Sequence, residues 1–370
     1  MVYKVIGIMS GSSLDGLDLV FAAIHENGGT WGFEIVAADC YPYEGEWLER
    51  LQQATALHAL DYQLLHVDYG HYLGQAVNRF IEENSLHYQV AFIASHGHTT
   101  FHLPHRRLTA QLGDGAALAA ETGLPVISDL RALDVAFGGQ GAPIVPLGEK
   151  LLLNDYDLFL NLGGIANISF NKAGESIAFD VCPANRVLNL IANEAGKPYD
   201  AGGQLAATGN VHYELLKKLN NLGYYQEPYP KSLANSFGVE VVYPLIRSFY
   251  LSPADALRTY VAHVVEQIKK AISIQEHMRT GPGQTATTRK LLVTGGGAFN
   301  SFVVNELQAA INEFSIEVVV PNEKLVQYKE ALIMALLGVL RWRQEYTVLP
   351  SVTGASRASI GGALWNGQEA

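Results

Sequence analysis

Residues 7–18 read Gly-Ile-Met-Ser-Gly-Ser-Ser-Leu-Asp-Gly-Leu-Asp, and the reading of this stretch decides the fold. Tyr3–Ser10 before it and Leu17–Glu26 after it are apolar and β-rich, so Gly11–Gly16 forms a tight turn between two strands. Gly11 lets the backbone approach a phosphate closely, Ser12, Ser13 and the N–H groups of Leu14 to Asp18 can donate to it, and Asp15 can hold a hydrated Mg²⁺. The plain alternative is an ordinary polar hairpin. Trp31–Tyr43, after the turn Glu26-Asn-Gly-Gly-Thr30, adds a third strand and completes a meander.

Outward from the meander the period changes. Leu48, Leu51, Leu57, Leu60, Leu64, Leu65 and Tyr69 recur at helical spacing and predict one or two amphipathic helices. A buried strand Gln89–Ser95 is expected to end at His96; a short helix from about Asp114 and a strand Pro125–Leu130 follow. After the Gly/Pro-rich Phe137–Pro146 the same grammar restarts, with strands Tyr156–Leu162, Ala166–Phe170 and Glu175–Val181 and a glycine turn between the first two. Leu257, Val261, Val264, Ile268 and Ile272 share one face of a helix over 256–272, and another helix is predicted from Glu323 to about Arg343. Two α/β halves that each open on a hairpin point to a duplicated fold. The Gly/Thr-rich Met278–Lys290 is expected to be an exposed loop; it lacks the Gly-Lys-Ser/Thr of a phosphate loop.

Further motifs carry chemistry. Asn161-Leu-Gly-Gly-Ile-Ala-Asn167 repeats the hairpin in the second half, so Gly163, Gly164 and Asn167 fit a second phosphate bend, and two such bends suit one polyphosphate. Gly295, Gly296 and Gly297 follow a strand and precede a helix, which allows a flat nucleoside against bare backbone or, as plainly, close helix–strand packing. Asp180, near the end of an apolar strand, suits a general base, or else a helix cap. Ser95-His-Gly-His-Thr-Thr-Phe-His-Leu-Pro-His105 opens a rival reading, a metallohydrolase built on His96 and His98.

Bulk properties narrow the choice. The chain has 370 residues, 48% hydrophobic and 16% charged, enough for two domains with sizeable cores. Its formal net charge of −11 disfavours nucleic acid and anionic membranes as partners, while leaving open a nucleotide held by backbone N–H groups and a metal ion. Two cysteines, Cys40 and Cys182, cannot form a disulfide framework. Without a signal-peptide pattern at the first residues, the expected compartment is the cytoplasm.

In order along the chain, Gly7–Asp18, Ala94–His102, Gln111–Arg131, Asp134–Pro146, Asn161–Ser169, Ala178–Asn185, Gly196–Gly209, Pro228–Ser232, Thr294–Asn300, Lys329–Leu340 and Leu349–Arg357 resemble the anhydro-N-acetylmuramic acid kinase family. The resemblance implies an α/β, two-lobed, actin-like ATPase fold of the duplicated ribonuclease H type. Lobe I would span 1–145 plus about 352–370, lobe II would span 146–351, and ATP and sugar would occupy a cleft between them. It implies ATP and Mg²⁺ as cofactors, phosphate contacts from Gly11, Ser12, Ser13, Leu14, Asp15, Gly16, Leu17 and Asp18 with Asp15 on Mg²⁺ through water, and a second phosphate bend at Gly163, Gly164 and Asn167. Gly295–Gly297 would face the nucleoside. Asp180 would activate water against the anomeric carbon of a 1,6-anhydro sugar, with sugar contacts from His96, Asp114, Asp129, Arg131 and Glu330 and a homodimer as assembly. A related anhydro sugar such as levoglucosan is the alternative substrate. The chain departs from the family's pattern at Val181–Ala184, Asn189 and Leu233–Asn235, segments that flank the sugar side.

Overall fold

The structure, a computed structural model, describes residues 1–11, 14–171, 176–228, 231–279 and 288–367. Ser12 and Ser13 lie outside the described residues, as does most of the loop expected at Met278–Lys290. The chain divides into two compact units, Met1–Asn154 with Tyr328–Ala370, and Asp155–Gln327.

Twelve strands are described: β1 (Val2–Ser10), β2 (Leu17–Asn27), β3 (Thr30–Tyr41), β4 (Phe92–Leu103), β5 (Leu108–Leu112), β6 (Val126–Ser128), β7 (Leu158–Leu162), β8 (Ile165–Asn171), β9 (Ser176–Pro183), β10 (Arg289–Thr294), β11 (Ile316–Val319) and β12 (Ala363–Trp365). In the first unit the sheet order is β12-β6-β4-β1-β2-β3, with β5 paired to β4. The second unit orders its strands β11-β10-β7-β8-β9. Both orders are the same device. A three-strand antiparallel meander comes first, and its first strand then takes a parallel partner, β4 on β1 and β10 on β7. That repeat is the duplicated ribonuclease H-like plan of an actin-like ATPase. It extends to detail: each parallel partner carries a glycine in the left-handed region, Gly97 within β4 at φ 69° and Gly295 directly after β10 at φ 80°.

The first core packs the helix Ala59–Glu83 against its sheet through Leu65, Tyr69, Leu73, Val77 and Phe80, each at most 2% exposed. Leu60 and Leu64 are 70% and 53% exposed, so the helical spacing read through them mixes two faces, and only the stripe continuing from Leu65 is core. The second core centres on the helix Pro253–Arg279, whose Leu257, Val261, Val264, Ile268 and Ile272 are all at most 1% exposed, as their spacing predicts. Burial of such side chains contributes on the order of 2 kcal/mol each.

Two sequence expectations shift. β4 does not stop at His96 but runs on to Leu103, because Gly97 turns the strand where a Cβ would meet Leu112 O at 2.4 Å. The unit boundaries expected at 145 and 351 fall instead after Asn154 and after Gln327. The helix Glu323–Trp342 explains the second difference. It lies so close on β1 that a Cβ at Gly7 would sit 2.0 Å from Ala331 O, and one at Gly148 would sit 2.6 Å from Ile333 Cγ2. Among the described residues no helix is long and apolar enough to cross a membrane.

Candidate active site

In the second unit, β7 and β10 run parallel with Thr294 opposite Asn161, so the two glycine bends that follow them share one end of the sheet. This is the carboxyl end of parallel strands, where open α/β sheets place ligands. The bends touch through Asn185, whose Nδ2 donates to Leu162 O at 2.9 Å while its Oδ1 lies 3.0 Å from where a Cβ on Gly297 would stand. Gly295 and Gly297 are packing glycines: added Cβ atoms would meet Asn161 Oδ1 at 2.4 Å and Leu162 Cβ at 2.6 Å. Gly163, Gly164 and Gly296 are different. None has a left-handed backbone, and the nearest atoms to their missing Cβ positions are 3.5, 3.7 and 3.7 Å away. The bare protein has no steric need for glycine at these three places, and Gly164 and Gly296 are exposed.

Asp180 lies on β9 opposite Asn167 of β8, two residues beyond Ile165, where β8 begins. Its backbone is clamped on both sides: Asp180 N donates to Lys231 O at 3.2 Å, and Tyr224 Oη donates to Asp180 O at 2.6 Å. Its carboxylate Oδ2 accepts from Leu233 N at 2.9 Å. Because that donor is a main-chain N–H, the departure from the family's pattern at Leu233 leaves the bond intact. Desolvation raises the Asp180 pKa above that of an exposed aspartate, and the Leu233 N–H partly opposes the shift. Asp180 does not cap the helix Asn185–Glu194; carbonyls of Gly163 and Gly164 do, accepting from Asn185 N at 3.0 Å and Ala184 N at 2.8 Å.

In the first unit β1 ends at Ser10 and β2 begins at Leu17. Gly16 is required there, since a Cβ would stand 2.6 Å from Cys40 Sγ, and Leu14 adopts φ 58°. Beneath Gly11 the Ser10 hydroxyl joins Tyr43 Oη at 2.5 Å, Tyr69 Oη at 3.1 Å and His98 Nδ1 at 3.1 Å. Burial holds His98 down at about 4, so this support stays neutral. Asp18 rises to about 6, chiefly by desolvation, with Asp15 and Glu330 adding like-charge repulsion against a relieving hydrogen bond from Cys40. Between pH of about 4 and about 6 the folded chain therefore keeps a proton that the unfolded chain has released, and stability from Asp18 falls as pH rises through that window. Asp18→Asn is expected to raise Tm at pH 8 and leave it nearly unchanged at pH 4. Equal gains at both pH values would show that the charge is not the cause.

The residues expected on the sugar side all lie in the first unit, and they divide. His96, Arg131 and Glu330 are coupled. Arg131 Nε donates to His96 Nε2 at 2.8 Å, His96 Nδ1 meets Gly97 O at 2.8 Å, and the charges of Arg131 and Glu330 act on each other. Both nitrogens of His96 are thus committed, and burial with the Arg131 charge takes its pKa to about 3. That arrangement does not favour a metal ligand, and among the described residues no group of three His, Cys, Asp or Glu could hold a metal ion. Asp114 instead caps the helix Gly115–Thr122, accepting from Ala117 N at 2.7 Å, with His66 Nε2 at 3.6 Å. Asp129 has φ 56°, accepts from Ser128 Oγ at 2.7 Å and borders a shallow depression with Ala132, Leu133 and Gly362.

Several organising residues escape sequence reasoning. Asp134, 1% exposed, accepts from Gly141 N at 2.7 Å and from Thr353 Oγ1 at 2.8 Å, and Arg131 Nη1 donates to Gly141 O at 2.5 Å. Together they fix the Gly139–Gly141 loop. Asn185 and Arg186 at the second bend, and the buried pair Lys329–Glu149, were missed as well. For Asn185 the signal available was its place directly after the Asp180 strand.

The family model for anhydro-N-acetylmuramic acid kinase matches residues 3–367. An anhydro-N-acetylmuramic acid kinase of Francisella tularensis subsp. novicida is 31% identical over 96% of this chain and 97% of its own length. One of Aliivibrio fischeri is 33% identical over 97% of this chain and 98% of its own. Among solved structures, the activator of the 2-hydroxyisocaproyl-CoA dehydratase from Clostridium difficile with bound ADPNP aligns with 93% of this chain and 96% of its own, at 14% identity and a TM-score of 0.44.

Proposed function

The chain belongs to the anhydro-N-acetylmuramic acid kinase family, and we propose that it converts 1,6-anhydro-N-acetylmuramic acid, water and ATP into N-acetylmuramate 6-phosphate and ADP. It is a phosphotransferase of cell-wall sugar reuse. In the proposed step Asp180 takes a proton from water, whose oxygen bonds to the anomeric carbon. The bond from that carbon to O6 breaks, O6 bonds to the γ-phosphorus, and the bond from that phosphorus to ADP breaks. The Asp180 proton then passes to solvent. A carboxylate whose pKa is raised by burial is a stronger base than an exposed aspartate.

The observation that carries the reading is the set of glycines at Gly163, Gly164 and Gly296, bare for no steric reason of the protein's own, of which Gly163 and Gly164 turn the chain into β8, the strand that pairs with β9 at Asp180. Bare backbone admits phosphate oxygens, and Asn167 lies on the same rung. Gly295 and Gly297 hold the bend that would face the nucleoside. In the first unit, Gly11–Asp18 is proposed to address phosphate, and His96, Asp114, Asp129, Arg131 and Glu330 to address the sugar. The Asp15–Asp18 pair, with Asp18 held near 6 partly by neighbouring negative charge, fits a cation supplied with the nucleotide. Mg²⁺ held by Asp15 through water would take the rest of its shell from phosphate and water, its usual manner, and would neutralise charge on the phosphates. ATP as co-substrate supports a cytoplasmic reaction, and the family resemblance suggests a homodimer.

Incubating the protein with Mg-ATP and the anhydro sugar is expected to give sugar 6-phosphate and ADP in equal amounts, read by mass spectrometry and a coupled ADP assay. ADP release without a phosphorylated sugar would overturn the assignment.

A further inference from the structure

We propose that Lys231 is a positioning residue for the base, seating the segment Lys231–Leu233 on Tyr224 so that the Leu233 N–H stays on the Asp180 carboxylate. The inference rests on the reading of Asp180 as that base.

Three observations lead to it. The first is convergence. Asp180 is held at three points: its N–H donates to Lys231 O at 3.2 Å, its carbonyl accepts from Tyr224 Oη at 2.6 Å, and its carboxylate accepts from Leu233 N at 2.9 Å. Two of these partners belong to the segment Lys231–Leu233 and the third is Tyr224. The second is the tie between them. Lys231 Nζ donates to Tyr224 O at 3.1 Å and lies 4.4 Å from the centre of the Tyr224 ring. One side chain therefore joins both sources of the clamp. The third is its cost. Lys231 is half-buried, and burial lowers its pKa, with the charge of Lys270 adding to the fall and Glu227 and Cys182 opposing it. A carbonyl and a ring face replace only part of the water that a cation loses, and a neutral side chain would fill the place without that loss. The lysine charge does not reach the base directly. The shift at Asp180 comes from burial and from the Leu233 N–H, so Lys231 acts through where that N–H stands. The Leu233 side chain packs against the second core, so losing the tie loosens the segment without detaching it.

The test is the pH dependence of kcat in the full chain with Mg-ATP and the anhydro sugar. Lys231→Met is expected to lower kcat by about 10- to 100-fold through misplacement of the base, to leave Tm near wild type, and to move the acid limb to higher pH. The sign follows from the loosened bond. The Leu233 N–H favours ionised Asp180, so weakening it raises the pH at which the base ionises. Lys231→Gln, neutral and shorter, should move the limb the same way. Lys231→Arg, which keeps a donor and a cation for the ring, should recover most of the loss. Tyr224→Phe keeps the ring and the carbonyl that seat Lys231 and loses the hydroxyl, so kcat should fall while the limb stays in place. Burial holds the Tyr224 hydroxyl and the Cys182 thiol protonated far above neutrality, so neither titrates on that limb. A limb unmoved in both neutral variants would overturn the proposal. So would an equal shift in Tyr224→Phe, which marks a general loosening of β9. Wild-type kcat with no acid limb at all would instead sink the reading of Asp180 as the base.

Discussion

Asp180→Asn is expected to lower kcat by about 10²- to 10⁴-fold with little change in Tm or in ADP affinity, the range attributed to a general base. The substitution is nearly isosteric. An asparagine Oδ1 still accepts from Leu233 N, and the clamps from Tyr224 Oη and Lys231 O act on the main chain and are untouched. What disappears is the ability to accept a proton from water. Wild-type kcat should also fall on the acid side, at a pH above the usual aspartate range, because the base must be ionised and burial holds its pKa up. That acid limb should be missing from whatever activity Asp180→Asn retains. Residual kcat above a tenth of wild type, or an acid limb that persists in the variant, would remove Asp180 from the role of base.

Much of this was legible in the sequence because it is local. The turn at Gly11–Gly16, the repeat at Gly163–Gly164 and the helix face from Leu257 to Ile272 are each written within a few residues, where spacing alone carries the signal. Glycine meaning was not legible. Gly295, Gly296 and Gly297 read alike as letters, yet Leu162 and Asn161 crowd the first and third and leave the middle one open, a distinction that exists only once β7 lies beside β10. The face of the helix Ala59–Glu83 was misread for a related reason. Leu60 and Leu64 keep the period but look outward, and periodicity cannot say which side meets a sheet. Partners far apart in the chain are the hardest. Nothing near Asp180 announces Leu233, and nothing near Lys329 announces Glu149.

That last pair makes the second large prediction. Lys329 Nζ lies 2.7 Å from Glu149 Oε1, and both side chains are only 4% exposed. The pair ties the returning helix Glu323–Trp342 to the helix Pro146–Leu152, where Gly148 has already brought the backbones close. Two charges removed from water roughly cancel their attraction against lost hydration, but a single one left behind has only the loss. Lys329→Met is therefore expected to destabilise the protein by about 3–5 kcal/mol, a fall in Tm of roughly 6–20 °C for a unit of this size. Glu149→Leu combined with Lys329→Met removes both charges and should recover most of that loss. The single change also reaches the next residue. Lys329 holds the Glu330 pKa down, so its removal should raise it further and move any pH dependence of sugar binding through Glu330 upward. If single and double variants melt together, the damage lies in helix packing and the buried charge is not its source; if both melt with wild type, the pair contributes nothing to holding the returning helix.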